Sequence, residues 1–286
     1  MRTYSSQDQC IQQKEGTLYE VIEIAFADAR RLLQYKLDDA FGAEFSLKGF
    51  DYPWILQSRG WKGADKILDV GAGYSLLPIH IADSYGSEVW AVDDFGIESD
   101  DKFWKRKMEP TEHISKYSQV KYVLERLGDI EKSSLPHNYF DCIYSASALE
   151  HVPPRMAEKV WNHMDRLLKP GGVMLHAVDM KLPTSRGLLS LIKASLIDLL
   201  GFVVPKPYLS ENLYYTPKRY LSMISSSLHS RLSVPKWNVG ILRMVLDPGI
   251  VIEPIDWAYN RIVKDGLTEV ALLRVASLLI YLRKTI

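Results

Sequence analysis

The residues with the clearest chemical potential lie in one short stretch, Asp69-Val70-Gly71-Ala72-Gly73-Tyr74-Ser75. The apolar run that ends at Val70 predicts a strand, and the apolar residues after Ser75 predict a helix. Glycines in such a turn let the backbone come close to a ligand, and the free N–H groups at a helix start attract an anion. The pattern therefore predicts a ligand-binding turn between a strand and a helix.

The spacing of the glycines separates two classes of ligand that fit this turn, a dinucleotide and S-adenosylmethionine. A dinucleotide fingerprint reads GxGxxG, which would place a glycine at position 76. The chain has Leu76 there. Asp69 would also add negative charge beside a pyrophosphate, whereas it suits a cationic ligand that carries an amino group and a sulfonium. We therefore expect S-adenosylmethionine, with a dinucleotide as the alternative.

Three further stretches follow the glycine turn in order, AVDD at 91–94, LGDIEKSSLPHNYFDCIYSASALEHV at 127–152 and LLKPGGVMLHAVD at 167–179. Together with the turn, they make the chain resemble the class I S-adenosylmethionine-dependent methyltransferases over about residues 66–179. The resemblance implies S-adenosyl-L-methionine as the cofactor.

The resemblance also implies a role for individual residues of these motifs. Asp93 would bind the ribose hydroxyls, Asp129 would accept from the adenine amino group, and Ile130 would lie beside the ring. Tyr74 lies over the methionine moiety in one interpretation and packs at the helix start in the other. Asp141 is expected to support a turn or pair locally. The expected cofactor site comprises Asp69, Gly71, Ala72, Gly73, Tyr74, Asp93, Asp94, Asp129, Ile130 and Ser145.

Two residues after the fourth predicted strand, Glu150 and His151, are the candidates for catalysis. Methyl transfer is an in-line displacement on an activated carbon, so an enzyme mainly has to align the acceptor. A base helps where the acceptor loses a proton, and an imidazole with an unperturbed pKa of about 6.5 suits that role. We expect His151 to be this base, with Glu150 beside it. In the alternative, both residues orient a loop and catalysis needs proximity alone.

Strands and helices that must position these residues alternate along the chain, which predicts an α/β fold. Strands are expected at 66–70, 88–92, 120–124, 139–145 and 173–178. Apolar residues at helical spacing over 18–41 predict N-terminal helices, and the last two apolar runs predict strands that return to the sheet. The resemblance implies a Rossmann-like, seven-stranded, mostly parallel sheet with helices on both faces.

The same reading divides the chain into four regions. Pro217 is expected at the first turn of a helix within the predicted insertion at 180–240. The apolar stretch 187–204 contains Lys193 and Asp198, which argue against a membrane span. It is interpreted as a buried or lid helix, with a membrane-surface helix or a homodimer surface as the alternatives. The regions are an N-terminal helical cap at 1–50, a cofactor-binding core at 51–179, a helical insertion or acceptor lid at 180–240, and C-terminal strands at 241–286.

Composition excludes several classes of protein. The 286 residues carry 35 Lys and Arg against 35 Asp and Glu, so the net charge is zero. This balance excludes a strongly basic nucleic-acid binder and an acidic disordered chain. Cys10 and Cys142 match no metal or disulfide spacing, so neither a metal site nor a disulfide is expected. The polar first residues lack an apolar signal core, which predicts a cytoplasmic protein without stable membrane insertion.

The two parts of the chain differ in charge. Residues 1–179 hold 21 Lys and Arg and 28 Asp and Glu, a net of −7, and residues 180–286 hold 14 and 7, a net of +7. The excess of cations predicts an anionic acceptor, such as a phosphate-linked sugar or a lipid headgroup. In the alternative, the two sets of charges complement each other within the fold. The cations in question are Lys181, Arg186, Lys206, Lys218 and Arg219.

The expected function is methyl transfer from S-adenosylmethionine to an O or N atom of a small molecule. The residues after the fourth strand, Ser145-Ala146-Ser147-Ala148, lack an Asn-Pro-Pro-Tyr-like signature of nucleic-acid methylation, and no basic and aromatic interleaving predicts an RNA surface. DYPW at 51–54 and VDDFG at 92–96 are similar to methyltransferases of bacterial glycan clusters, which favours a sugar, glycan-linked or secondary-metabolite acceptor. Two alternatives are a nicotinamide-dependent oxidoreductase and a non-catalytic partner subunit that keeps the cofactor fold.

Overall fold

The predicted alternation of strands and helices builds a single sheet. The computed structural model describes residues 18–27, 48–95, 109–128, 132–183, 217–228, 232, 253–254 and 273–286. The strands are β1 Tyr19–Phe26, β2 Lys66–Val70, β3 Glu88–Val92, β4 Val120–Val123, β5 Phe140–Ala146, β6 Leu168–Pro183, β7 Glu253–Pro254 and β8 Leu273–Lys284. The helices are α1 Lys48–Gln57, α2 Leu77–Tyr85, α3 Pro110–Lys116, α4 Pro154–Leu167 and α5 Pro217–Ser227, with a 3₁₀ turn at Leu149–His151.

The sheet has the order β1-β8-β6-β5-β2-β3-β4, and the short β7 pairs with β8. Strands β2 to β6 run parallel to one another, whereas β8 is antiparallel to β6 and to β1. The predicted seven-stranded, mostly parallel sheet is confirmed, with β7 as an addition. The chain moves outward from β2 through β3 to β4 and then returns to the other side of β2 as β5. Ligands bind at such a switch point, beyond the carboxyl ends of the strands.

Helices cover both faces of this sheet. On one face, α1 and α2 pack on a core that includes Ile55, Leu77 and Tyr144. On the other face, α4 and α5 pack on a core that includes Trp161 and Tyr220. Within the described part of the chain, no helix is long and apolar enough to cross a membrane.

The helix predicted over 18–41 is wrong at its beginning, because Tyr19–Phe26 forms β1. Its β-branched residues favour a strand, and β8 supplies an antiparallel partner from Tyr19 opposite Lys284 to Phe26 opposite Leu278. Apolar spacing over eight residues fits either structure, so the distant partner decides between them. Residues 28–41 of that prediction lie outside the described residues, as does the apolar stretch 187–204. The division into four regions stays a prediction.

The strand predicted at 173–178 is longer than expected and spans Leu168–Pro183. It includes the LKPGG segment at 168–172, which precedes the predicted strand. Gly171 has a φ of 76°, and the register between β5 and β6 shifts between Phe140 and Cys142. The glycines therefore form an irregularity within a strand, which continues because it pairs with β5 on one side and with β8 on the other.

Candidate functional site at the carboxyl ends of β2, β3 and β5

The glycine turn connects β2 to α2 at the switch point of the sheet. Gly71 and Gly73 have φ values of 72° and 50°, in the left-handed region that favours glycine. The Gly71 N–H donates to the Val92 carbonyl at 2.9 Å, which fixes the turn to the end of β3. A Cβ at position 71 would lie 2.4 Å from the Cβ of Ala148, so the turn that contains Ala148 also leaves no space for a side chain at this position.

Asp93 follows β3 and is bonded directly to the glycine turn. Its Oδ2 accepts from the Gly73 N–H at 2.8 Å, and its Oδ1 accepts from the Phe95 N–H at 2.5 Å. A carboxylate has about four acceptor positions and suits hydroxyl donors. The predicted proximity of this acid to the glycines is present, in a geometry that could receive two hydroxyl groups.

Asp69 lies on β2 and is 3% exposed. It pairs in register with Ala91 on β3 and with Tyr144 on β5, which puts all three residues on the face covered by α1 and α2. Burial, together with the neighbouring Asp69 carboxylate, raises the pKa of the Tyr144 hydroxyl well above its usual range. Tyr144 therefore remains a neutral phenol beside a buried acid.

Tyr74 belongs to an aromatic cluster at the start of α2. Its ring packs edge-on against Phe95, with centroids 5.1 Å apart, and against His113 at 5.3 Å. The His113 imidazole lies 3.0 Å from the Tyr122 hydroxyl, and burial lowers its pKa. These contacts show that Tyr74 packs against aromatic neighbours, and its position over the methionine moiety stays a prediction.

The other acids predicted for the cofactor site differ in where they lie. Asp94 forms an ion pair with Arg126, whose side chain is 58% exposed. Asp129 and Ile130 lie outside the described residues, so their contacts with adenine stay a prediction. Gly128, just before them, donates its N–H to Nδ1 of the buried His163 at 3.1 Å, which anchors the start of that segment.

Ser145 is enclosed in the core, on the side of the sheet opposite Asp69. Its hydroxyl lies 2.8 Å from Nδ1 of His176, and both residues are completely buried beside Trp161. Burial lowers the pKa of His176 to about 3, so this imidazole is neutral at physiological pH. A cofactor contact through the Ser145 side chain is therefore not supported by its position.

The two candidates for catalysis lie on the 3₁₀ turn after β5. His151 has half of its side chain exposed, whereas the side chain of Glu150 is 1% exposed. The His151 Nε2 lies 3.6 Å from the Glu150 Oε1. This turn follows Ala148 directly and so begins beside Gly71.

A buried cluster that sequence reasoning missed lies beside this turn. Asp51 on α1 is 0% exposed, and its carboxylate accepts hydrogen bonds from the hydroxyls of Ser147 and Ser277. On the same helix, the Tyr52 hydroxyl lies 2.9 Å from that of Ser75 in the glycine turn. Asp51 and Ser277 are 226 positions apart. No local pattern in the sequence could have indicated that they meet.

The residues at the switch point fit S-adenosylmethionine. Gly71 and Gly73 provide an open backbone, Asp93 provides acceptors suited to hydroxyls, and Asp69 provides a buried carboxyl group. Within the described ranges, no group of three or more His, Cys, Asp or Glu side chains is arranged to hold a metal ion.

Comparisons with known proteins agree with this geometry. A family model described as a methyltransferase domain matches residues 68–176. A sterol 24-C-methyltransferase of Pneumocystis carinii (strain B80) is 28% identical over 120 residues, which cover 42% of this chain and 29% of that relative. The match therefore spans less than a third of the length of the relative.

Solved structures with a similar course of the chain have lower identities. A geranyl diphosphate C-methyltransferase from Streptomyces coelicolor A3(2) is 16% identical with a TM-score of 0.48, over 92% of this chain and 86% of that one. A 1,6-didemethyltoxoflavin-N1-methyltransferase from Burkholderia thailandensis is 15% identical with a TM-score of 0.45, over 87% and 82%. Identities this low carry no information about the substrate.

Proposed function

We propose that the protein is a class I S-adenosylmethionine-dependent methyltransferase, which transfers a methyl group from S-adenosyl-L-methionine to an oxygen or nitrogen atom of a small molecule. The match of residues 68–176 to a methyltransferase-domain model supports this proposal. The observation that carries the proposal is the hydrogen bond between the Gly73 N–H and the Asp93 carboxylate. It joins the two parts of a nucleoside site, the open glycine backbone and an acceptor for hydroxyls, at the switch point of the sheet.

Each residue of the site has a defined task in this proposal. Asp93 holds the ribose hydroxyls, and Gly71 to Gly73 let the backbone approach the ligand. Asp69 attracts the amino group, because a buried carboxylate interacts strongly with a nearby cation. When bound, the cofactor supplies an electrophilic methyl group on a sulfonium. The protein then has to place the acceptor in line with that methyl group.

His151 is the proposed base. Its exposed imidazole can take a proton from an acceptor hydroxyl or ammonium, and the buried Glu150 carboxylate at 3.6 Å stabilises the resulting charge. The contact of Ala148 with Gly71 supports this role, because His151 lies three residues after Ala148 on the same turn.

The acceptor is proposed to be a sugar, a glycan-linked compound or a secondary metabolite, with an anionic group. The net charge of +7 over residues 180–286 supports an anionic acceptor. Of the cations expected to bind it, Arg219 is exposed on α5. The name of the sterol relative indicates transfer to carbon in that protein, so transfer to carbon is an outcome that the experiment must distinguish.

Isothermal titration calorimetry with S-adenosylhomocysteine tests the proposal, with NADH as the comparison ligand. We expect S-adenosylhomocysteine to bind and NADH not to bind. Binding of NADH alone would favour the oxidoreductase alternative and overturn the proposal. With binding established, incubation with methyl-labelled cofactor and a panel of phosphosugars, followed by mass spectrometry and NMR, identifies the methylated atom. Label on a carbon would contradict the assignment to oxygen or nitrogen.

A further inference from the structure

We propose that Asp51 is a positioning residue that holds the turn after β5 against the glycine turn, an inference that rests on the proposed function. Asp51 lies on α1, outside the matched residues 68–176. Its carboxylate accepts from the Ser147 hydroxyl at 3.1 Å and from the Ser277 hydroxyl. A single completely buried side chain thus connects α1, the end of β5 and β8.

Two features that lower the stability of a fold occur together at Asp51 and Ser147. A buried carboxylate lowers stability unless its hydrogen bonds offset the loss of water, and an apolar side chain would fill the same volume without that cost. Ser147 has a φ of 52°, in the left-handed region that non-glycine residues adopt at a cost. Local strain of this kind persists only where the surroundings enforce it, and it is concentrated at functional sites.

The position of Ser147 determines the position of the residues that follow it. The Ser147 N–H donates to the Ala177 carbonyl at 2.9 Å, so its backbone and its side chain are both held. Ala148 comes next and lies against Gly71. The His151 N–H then donates to the Ala148 carbonyl at 3.1 Å, at the end of the 3₁₀ turn. Release of Ser147 would therefore move the wall of the glycine turn and the proposed base together.

The test compares the affinities of variants for two ligands, measured by calorimetry. S-adenosylhomocysteine has both an adenosine end and an amino-acid end, whereas 5′-methylthioadenosine lacks the amino-acid end, which we place between Asp69 and the turn after β5. We expect Ser147→Ala and Asp51→Asn to weaken the binding of S-adenosylhomocysteine by about fivefold or more. The same variants should weaken the binding of 5′-methylthioadenosine by less than about twofold. Equal losses for both ligands, or no loss for either, would overturn the proposal.

Ser277→Ala is the matched control, because it removes a hydrogen bond from the same carboxylate without touching the turn. We expect it to change either affinity by less than about twofold. Ser147→Gly guards against a folding defect, since glycine accepts the left-handed conformation while it lacks the hydroxyl. It should reproduce the selective loss of affinity seen with Ser147→Ala.

Hydrogen exchange of the ligand-free protein separates this inference from the proposed function. We expect the amides of residues 147–151 to exchange at least about tenfold faster in Ser147→Ala than in Ser277→Ala. Equal rates would overturn the positioning role. A wild-type protein that binds neither ligand would overturn the proposed function instead, and the exchange rates would then decide the positioning role alone.

Discussion

Gly71 and Ala148 approach each other so closely that a methyl group on Gly71 would lie 2.4 Å from the Ala148 Cβ. The contact joins the turn after β2 to the turn after β5, across the point where the strand order reverses. Since Gly71 also has a φ of 72°, both the space and the backbone conformation exclude a side chain there.

The substitution Gly71→Ala is expected to lower the free energy of unfolding by about 3 kcal/mol or more, because it combines a left-handed backbone with a clash. Urea unfolding measures the change. The double variant with Ala148→Gly should recover only the part due to the clash, since the backbone strain at position 71 remains. Gly60→Ala is the control, because a Cβ at position 60 meets nothing within 4 Å. Equal effects at positions 60 and 71 would contradict the prediction.

Asp93→Asn is expected to weaken the binding of S-adenosylhomocysteine about tenfold or more, because hydrogen bonds to a charged acceptor contribute about 1.5–3 kcal/mol. The amide oxygen can still accept from the Gly73 N–H, so the fold should be retained. Calorimetry measures the affinity, and a melting curve checks the fold. Asp83→Asn is the control, because Asp83 is exposed and bonds only to Gln119 among the contacts described for it. An unchanged affinity in Asp93→Asn would exclude this carboxylate from the nucleoside site.

His176 is expected to make stability fall as the pH decreases below about 6.5, the ordinary histidine pKa. Burial lowers its pKa to about 3 in the folded protein, so between these values the unfolded chain binds more protons than the folded one. This group stabilises the fold fully above the unfolded pKa, and its contribution decreases by up to about 1.4 kcal/mol for each pH unit below it.

The contribution of His176 is measured from the free energies of unfolding in urea of wild type and His176→Asn, each at pH 5 and at pH 7. The two proteins are compared by how much this free energy changes between the two pH values. The amide of asparagine can still bond to the Ser145 hydroxyl but does not titrate. We expect the pH dependence of the variant to be shallower than that of wild type. Identical slopes would show that His176 does not carry the effect.

His151→Ala is expected to lower kcat by roughly 100-fold or more on an acceptor that must lose a proton, the usual effect of a general base. Binding of S-adenosylhomocysteine should change little, since the exposed imidazole is not placed on the cofactor. His137→Ala is a control at another exposed histidine. If His151→Ala keeps full turnover at saturating acceptor, the turn only orients the substrate.

The parts of the fold that depend on neighbouring residues were predictable from the sequence. Glu88–Val92 has the bounds expected from its alternating pattern, and α5 begins at Pro217, whose fixed φ suits a first helical turn. The order of the motifs likewise predicts that Asp93 meets the glycine turn, because parallel strands bring their carboxyl ends to one edge.

The parts that depend on distant residues were not predictable. Tyr19–Phe26 pairs with a strand from the other end of the sequence, and its short apolar pattern fits a helix equally well. The Asp51 cluster requires Ser277, which no local motif indicates. The prediction for Ser145 took the strand end from the sequence but could not assign the face, and alternate residues of a strand point to opposite faces.

The position of β1 has a consequence for folding during synthesis. Tyr19–Phe26 leaves the ribosome well before Leu278–Lys284, although the backbone groups of those later residues pair with it. Until then, β6 lacks its antiparallel neighbour β8, and the nascent sheet presents an open edge. Pairings between such distant segments close slowly, so this edge is exposed to association with other chains until β8 has been synthesised. Chains arrested before Leu273 are therefore expected to aggregate or to require a chaperone.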